Sequence, residues 1–377
     1  MALVILIMVS FAISQSKACV TSTDCSLNGD CVQGSCQCDS AWTGIRCEEL
    51  EILPTNLHSG YHNLTAGASW GGLPIFADGK WHLFVAQMVN NCSFKYWQSN
   101  SEIIRAESQF PNGPYAYAQT VVSVFAHNPT VRVANDGTYL IYMIGNGVSV
   151  KKPMNCSKDV EGLPKTVESR TLARKKRRSV RSNRIHIAHS PTVYGPWSVL
   201  PVSFTNPNAS TIFDCTWTNP SPVILEDGSV LMAFTGGYCH DKLEAIGIAQ
   251  APRWNGPYTI KTLEPIFPKP SLCLSRRQYE DPFLWRNSRG FHLLLHGMCP
   301  TGKFNSKYAY SLDGFRWTVS PMDPYSYVVK YEDGSEQGFV RCERPQLLFN
   351  DEGKAIYLFN GVEPTLGHAY TIARPLV

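Results

Sequence analysis

Charged and polar side chains recur directly ahead of a proline and an apolar run. The three instances are Glu280-Asp281 before Pro282, Glu343-Arg344 before Pro345 and His127-Asn128 before Pro129. Two carboxyl groups in one pocket can perform acid–base chemistry when one is protonated and the other ionised, and a histidine can act as a base near neutral pH. Because polar groups at the start of an apolar strand are costly inside a closed core, they predict a polar pocket.

Each of these residues also has a structural interpretation. Glu343 and Arg344 can form an ion pair, Asp281 can cap a turn, and His127 can be a hydrogen-bonded buried histidine. In the catalytic interpretation, Arg344 or Arg341 holds the Glu343 carboxylate ionised through charge-assisted hydrogen bonds. The sequence leaves both interpretations open.

The elements that must position these residues form a repeat. Each copy has an apolar run, an acidic or Asn-rich turn with glycine, and a second apolar run, which predicts a β-hairpin. The five copies begin at Leu73, Asn128, Ser221, Asp281 and Arg344. Their marker prolines are Pro74, Pro129, Pro222, Pro282 and Pro345, at intervals of 55, 93, 60 and 63 residues. An insertion at about 151–184 accounts for the long interval.

A second marker follows the first in four copies and predicts the turn into an outer strand. It reads Asn112-Gly113-Pro114-Tyr115, Tyr194-Gly195-Pro196-Trp197, Asn255-Gly256-Pro257-Tyr258 and, more loosely, Asp313-Gly314-Phe315-Arg316-Trp317. Two hairpins per copy make four antiparallel strands, the content of a propeller blade. The fifth copy ends too early, so the segment from about Glu49 to Leu64 is predicted to supply its outer strand and close the ring. The alternative is a β-sandwich.

Six of the 13 cysteines lie within residues 19–47, too short a segment to fold without crosslinks. They are Cys19, Cys25, Cys31, Cys36, Cys38 and Cys47. Their spacing alone leaves all connectivities open. The Cys-x-Cys pair, the Asn28-Gly29-Asp30 turn and Trp42-Thr43-Gly44 closely resemble an EGF-like module. That resemblance implies the pairs Cys19–Cys31, Cys25–Cys36 and Cys38–Cys47, and a spacing, docking or adhesive role toward matrix or cell-surface proteins. Seven cysteines remain, and we expect Cys342 to be a free thiol.

An apolar run from Ala2 to Ile13, followed by small and polar residues, predicts a signal peptide at residues 1–18. A membrane anchor is the alternative, but the run is short of the roughly 20 residues that a span needs. We therefore expect a secreted chain with an EGF-like module at 19–48, a propeller at 49–377 and no transmembrane span. Four N-glycosylation sequons agree with export, at Asn63, Asn91, Asn155 and Asn208.

The net charge of +4 comes from one segment, since residues 174–184 hold seven of the 34 Lys and Arg residues. The rest of the chain is not basic, which argues against a nucleic-acid-binding protein. In an exported chain the run predicts a proprotein-convertase-type processing site after Arg178. The alternatives are a loop that binds sulfated glycans or acidic partners, and a simple solvated insertion.

The repeat and its strand starts resemble the five-bladed propellers of glycoside hydrolase family 43 and its relatives. The resemblance implies an all-β, five-bladed β-propeller that hydrolyses glycosidic bonds, with Glu280 as general acid. It further implies aspartates in blades one and three. Blade one has Trp70-Gly71-Gly72 and blade three has Asn219 instead, so Glu343 or His127 would complete the pair, with Asp281 as a further candidate.

Around this predicted site we expect substrate contacts from Trp70, Asn128, Asn219, Arg344 and Trp285. The resemblance also implies an axial structural calcium near a blade-five histidine, for which His368 is the counterpart, while no cofactor is required for catalysis. Two functions are open: a secreted glycosidase, or a non-catalytic carbohydrate-binding, structural or adhesion protein that has lost the blade-one base.

Overall fold

The structure, a computed structural model, describes residues 19–62, 67–149, 152–156, 184–205, 216–237, 244–262, 264–267, 279–298, 306–364 and 368–377. The predicted signal peptide, Asn63, Asn208, Arg178 and almost all of the basic run lie outside these residues. The described chain is nearly all β. Its helical structure is a 3₁₀ turn at Phe94–Tyr96 followed by the short helix α1 at Trp97–Asn100. No described helix has the length and apolar character needed to cross a membrane.

The predicted blades are present as five sheets. The first four each have four antiparallel strands in sequential order. Blade one contains β5 (Ser69–Ala77), β6 (Lys80–Met88), β7 (Ser101–Ser108) and β8 (Ala116–Val122). Blade two contains β9 (Ala126–Val133), β10 (Tyr139–Gly145), β11 (Ile185–Ser190) and β12 (Ser198–Pro201). Blade three contains β13 (Thr216–Ile224), β14 (Val230–Gly237), β15 (Ala245–Ala251) and β16 (Thr259–Ile260).

Blade four contains β17 (Tyr279–Arg286), β18 (Phe291–Gly297), β19 (Ser306–Ser311) and β20 (Thr318–Val319). The two-stranded hairpin of β21 (Val328–Lys330) and β22 (Glu336–Gly338) follows it. Blade five contains β23 (Arg341–Phe349), β24 (Ala355–Glu363) and β25 (Tyr370–Pro375). The innermost strands β5, β9, β13, β17 and β23 contact one another in that order, and β23 returns to β5. The prediction of a closed five-bladed ring is confirmed.

The N-terminal segment closes the ring, as predicted. Ile52 bridges Leu376 and Tyr61 bridges Thr371, both antiparallel, so residues 52–61 run beside β25 as the outer partner of blade five. The Tyr61 amide donates to the Thr371 carbonyl at 2.8 Å, and the Leu53 amide donates to the Pro375 carbonyl at 2.9 Å. Pairing the last blade with the start of the propeller leaves fewer unpaired strand edges.

Turn chemistry explains the hairpins. At the β5–β6 turn, Asp78 and Gly79 both have positive φ, 48° and 76°. A two-residue turn with φ positive at both centres matches the twist of the flanking strands, and Asp-Gly is among its preferred sequences. Beyond each turn the strands carry the apolar residues that fill the space between blades, including Phe84, Tyr142, Phe234 and Leu294.

The EGF-like module contains β1 (Gly29–Val32), β2 (Ser35–Cys38), β3 (Trp42–Thr43) and β4 (Glu49–Leu50). Its three disulfides are Cys19–Cys31, Cys25–Cys36 and Cys38–Cys47, as the resemblance implied. A fourth disulfide, which the sequence did not predict, joins Cys92, between β6 and β7 of blade one, to Cys156, between β10 and β11 of blade two. Cys342 is buried and forms no disulfide in the part of the chain that is described.

The module packs against blade four instead of extending away as a tether. The ring of Trp42 lies 4.9 Å from that of Tyr308 and 6.3 Å from that of Trp285. The Arg289 guanidinium binds the carboxylates of Asp30 and Asp39 through four hydrogen bonds of 2.6–3.0 Å. Apolar contact and paired charges together fix the module on the propeller.

Candidate active site

Each innermost strand is irregular at the same place. Pairing with the second strand shifts register at residues 70–73, 127–130, 218–221, 280–283 and 343–346. Each irregularity contains a residue in the left-handed conformation, with φ between 49° and 64°: Gly71, Asn128, Asn219, Asp281 and Arg344. In blade one the next residue, Gly72, also has a positive φ of 108°. Bulges of this kind redirect side chains. Here they bring one residue of every blade to the axis.

This position corrects the alignment of the repeats. In blade three the left-handed residue Asn219 directly precedes Pro220, so Pro220, and not Pro222, is the structural counterpart of Pro129, Pro282 and Pro345. In blade one Gly72 takes that place and Pro74 lies further along β5. The sequence repeat was aligned on apolar runs, whereas the structure aligns the bulges. Asn, Asp and Gly tolerate the left-handed region, which is the local signal that identifies four of the five axial residues.

The axial side chains form one hydrogen-bonded network. The Asn128 amide donates to Asn219 Oδ1 at 2.8 Å and to Asp281 Oδ1 at 3.4 Å. The Asn219 amide donates to Glu280 Oε1 at 3.3 Å. The structure therefore brings together Asn128, Asn219, Glu280 and Asp281, all of which the sequence placed at the site.

Arg344 fills the middle of the ring. It is 1% exposed, and its Nη2 donates to the Asn128 carbonyl at 2.9 Å and to Thr130 Oγ1 at 3.0 Å, across the axis from its own blade. Its Nη1 lies 3.6 Å from Asp281 Oδ1. Gly71 makes room for it, since a Cβ at Gly71 would lie 2.6 Å from Arg344 Cγ. Arg344 therefore separates the two ends of the axial channel.

Glu343 lies beside this network in blade five. Its carboxylate is 3.4 Å from Arg341 Nη1 and 3.7 Å from His296 Nε2. Burial raises the pKa of Glu343 to about 7, Arg341 opposes that rise, and the charge of Glu280 adds to it. Glu343 is thus a carboxyl group that holds its proton near neutral pH, with Glu280 close enough to influence it.

Asp281 is 4% exposed and borders both acidic neighbours. Burial raises the pKa of Asp281 well above its ordinary value, the charge of Glu280 raises it further, and Arg344 partly offsets both. Glu280 itself is half-buried. Since three carboxyl groups share this region, ionising all of them together is unfavourable.

His127 is placed less favourably for acid–base chemistry. It is 2% exposed, its ring stacks on Trp97 at 4.7 Å, and its Nδ1 lies 2.7 Å from Ser101 Oγ. Burial, and then the charge of Arg344, lower the pKa of His127 to about 3. The imidazole is therefore neutral and very weakly basic.

Two predicted aromatic contacts differ from expectation. Trp70 is 1% exposed and stacks on Phe94 with 4.0 Å between ring centroids, so its indole is enclosed. Trp285 lies at the far end of β17, where its ring stacks on His292 at 4.9 Å, and is not beside the acidic cluster. Trp285 is five positions further along the strand than Glu280, a span of roughly 16 Å.

His296 was missed as a site residue. His292 and His296 lie on one face of β18, and this alternation favours a packing role for both. However, the strand is long enough that its two ends have different surroundings, one near the EGF-like module and the other near the axis. His292 packs against Trp285 and Tyr308, while His296 lies beside Glu343. Burial lowers the pKa of His296 to about 4, so it is neutral at pH 7.

Asp281, His296 and Glu343 offer ligand atoms that all lie within 4.8 Å of one another. Apart from a group of EGF-like cysteines, this is the one set of potential metal ligands in the described residues. Arg344 beside Asp281 and Arg341 beside Glu343 already supply positive charge there, which disfavours a divalent cation. His368 is exposed and is not part of the cluster. The residues do not fit the calcium that the resemblance implied.

Comparison with known proteins agrees with this architecture. Residues 21–50 match the Teneurin-like EGF domain family. The chain as a whole is similar in structure to a family 117 glycoside hydrolase from the marine bacterium Zobellia galactanivorans, with a TM-score of 0.56, 12% identity, and coverage of 89% of this chain and 91% of that one.

Two further solved structures have the same fold. A thermostable family-43 glycoside hydrolase gives a TM-score of 0.53 at 10% identity, covering 83% of this chain and 91% of that chain. An endo-arabinase from Bacteroides thetaiotaomicron gives 0.53 at 13% identity, covering 85% and 98%. This protein is an EGF-like module followed by a five-bladed propeller whose fold is similar to that of these glycoside hydrolases.

Proposed function

We propose that this protein is a secreted glycosidase whose axial site uses Glu343 and Glu280 as its two carboxyl groups. The observation that supports this most directly is the pKa of Glu343, raised to about 7 by burial, next to a second carboxylate on the neighbouring blade. Glycoside hydrolysis needs one carboxyl that gives a proton and one that is ionised. The disulfide-rich module suits an extracellular location.

The roles differ from those expected from sequence. Glu343 is the carboxyl that retains its proton near pH 7, so it donates that proton to the oxygen of the leaving sugar. Glu280 is half-buried and acts as the ionised partner, which activates water or attacks the anomeric carbon. Asn219 orients Glu280 through its 3.3 Å hydrogen bond. Asp281 and Arg344 position the pair, and His127 is left out because it is such a weak base.

One observation favours a second candidate, a non-catalytic glycan-binding or adhesion protein. Blade one brings Gly71 to the axis, a residue without a side chain, and the neighbouring Trp70 is enclosed. Blade one thus adds no carboxylate to the network. In that case the acidic cluster would hold sugar hydroxyls, and the docked module would present the propeller to matrix or cell-surface partners.

Hydrolysis assays separate the two candidates. Aryl arabinofuranosides, xylosides and galactosides, together with fructans, are tested with the wild type and with Glu280→Gln and Glu343→Gln. Glu352→Gln is the control, because Glu352 is exposed in the β23–β24 turn. We expect each axial variant to lose roughly 10²–10⁴-fold in kcat, as is typical when an acid or base is removed, and the control to keep full activity.

Glycan-array binding is measured with the same preparations. If the wild type hydrolyses none of these substrates and still binds glycans, the glycosidase proposal is wrong and the binding function takes its place. Where hydrolysis occurs, the anomeric configuration of the first product shows whether Glu280 activates water or forms a covalent intermediate.

A further inference from the structure

The propeller has a cavity on its axis at the end opposite the acidic cluster. Its volume is about 840 Å³, within the range of small-molecule sites. The far halves of the innermost strands form its wall, and Trp42 and Asp39 of the EGF-like module form part of its rim. The buried Arg344 network lies between this cavity and the candidate active site, so the two are separate sites.

The wall is mainly apolar. Its apolar members come from all five blades and include Ile75, Val131, Val223, Phe283, Leu347 and Phe349. Most of the charged residues at the rim are already paired. Asp39 binds Arg289, and Lys354 Nζ lies 2.8 Å from Glu352 Oε2. Two further arginines line the cavity: Arg286, which is exposed and lies over the Phe291 ring, and Arg132, which is half-buried and faces the cavity from the innermost strand β9.

Arg132 extends from β9 across the channel and lines the cavity. Its Nε donates to the Pro222 carbonyl at 2.9 Å, its Nη1 to the Val131 carbonyl at 2.8 Å, and its Nη2 to the Leu284 carbonyl at 3.4 Å. Its guanidinium also lies over the Phe283 ring, 5.3 Å from the centroid. All three acceptors are neutral backbone groups.

No carboxylate in the described chain forms an ion pair with Arg132. Burial lowers the pKa of Arg132 to about 10, and Arg344 contributes to that lowering, so the charge is held at a cost. A guanidinium has five N–H donors, of which three are used here and two remain. Arg132 is half-buried and faces the cavity, so its unused donors are accessible to a ligand. A guanidinium with unused donors and no carboxylate partner among the described residues is suited to bind an anion.

We propose that this cavity binds an amphipathic carboxylate, with the carboxylate on Arg132 and an apolar body against Ile75, Phe283 and Phe349. The anion completes the guanidinium's hydrogen bonds and balances its charge. The apolar body replaces water along the wall. Because Trp42 lines the rim, the ligand also contacts the docked EGF-like module.

Isothermal titration calorimetry of the full chain with decanoate tests the proposal. Decanol keeps the apolar body without the charge, and acetate keeps the charge without the body. We expect one decanoate site, at least roughly tenfold weaker binding of decanol, and no measurable binding of acetate. Parallel titration with 2-naphthoate shows whether the cavity prefers a chain or a ring.

Two variants locate the site. Arg132→Met keeps the apolar stem and should reduce decanoate affinity to that of decanol, leaving decanol unchanged. Ile75→Trp fills part of the cavity and leaves Arg132 unchanged, so it should weaken the binding of both decanoate and decanol. It therefore tests the proposal even if Arg132→Met does not fold. Glu280→Gln should leave decanoate binding unchanged. The proposal is overturned if wild type does not bind decanoate, if decanol binds equally well, or if Ile75→Trp has no effect.

Discussion

Glu343→Gln should change how stability depends on pH. Glutamine imitates the protonated acid but cannot ionise. The rise in the pKa of Glu343 from 4.5 to about 7 means that the folded state holds this proton more tightly than the unfolded chain does. Protonated Glu343 therefore makes its full favourable contribution to the free energy of unfolding below about pH 4.5. That contribution is lost as the pH rises through 7.

The magnitude follows from this pKa difference. At about 1.4 kcal/mol per pKa unit, the ionised Glu343 costs about 3 kcal/mol of folding free energy once the pH exceeds the folded pKa. The side chain is only 11% exposed, so solvent screening reduces this value little. At pH 4.5 the variant and the wild type should be about equally stable, and at pH 8 the variant should be more stable by about 3 kcal/mol.

Urea unfolding followed by tryptophan fluorescence, at constant ionic strength and with a chelator present, measures the difference at several pH values. Titration of His296 and His127 occurs in both proteins and cancels in the comparison. Glu352→Gln, on an exposed turn, should show a difference that is constant between about pH 6 and pH 8, because the hydrogen bond from Lys354 lowers the pKa of Glu352 and confines its titration to lower pH. A flat difference for Glu343→Gln as well would refute the argument that burial holds this carboxyl protonated, and with it the role of Glu343 as the acid.

Two further predictions concern the fold that positions the site. Gly71→Ala should destabilise the protein by at least about 2 kcal/mol, because the left-handed backbone disfavours alanine and the new Cβ would lie 2.6 Å from Arg344 Cγ. Gly79→Ala has a similar φ but no atom within 4 Å of the added Cβ, so a thermal melt should show only the smaller backbone cost, and equal losses would contradict the steric argument. Trp42→Ala should release the EGF-like module at a cost of about 3 kcal/mol, seen as faster hydrogen exchange over residues 19–50 and β19. Ile45→Ala, in the same module but 80% exposed, should leave that exchange unchanged, and an unaltered rate in Trp42→Ala would show that the aromatic contact does not hold the module.

The chain's local chemistry determined most of the architecture. Strand periodicity, Asp-Gly turns and the repeated Gly-Pro markers depend on interactions between residues close in sequence, and they predict the hairpins and their number. The disulfide pairs of the EGF-like module followed from resemblance, because spacing alone leaves the connectivity open. The identity of the axial residues was also visible, since Asn128, Asn219 and Asp281 are residue types that tolerate the left-handed backbone.

Tertiary structure decided which of those residues can do chemistry. Burial sets the pKa of Glu343 near 7 and that of His127 near 3, and burial depends on neighbours from other blades. Neighbours from other segments also place His296 beside Glu343 and enclose Trp70. Trp285 lies at the opposite end of β17 from Glu280 and is therefore distant from the acidic cluster. Three features join segments that are distant in sequence: Arg344 crossing the axis, Arg132 donating to carbonyls of blades three and four, and the module docked on blade four. The periodicity of apolar residues in the sequence does not predict such contacts, because they form only when the ring closes.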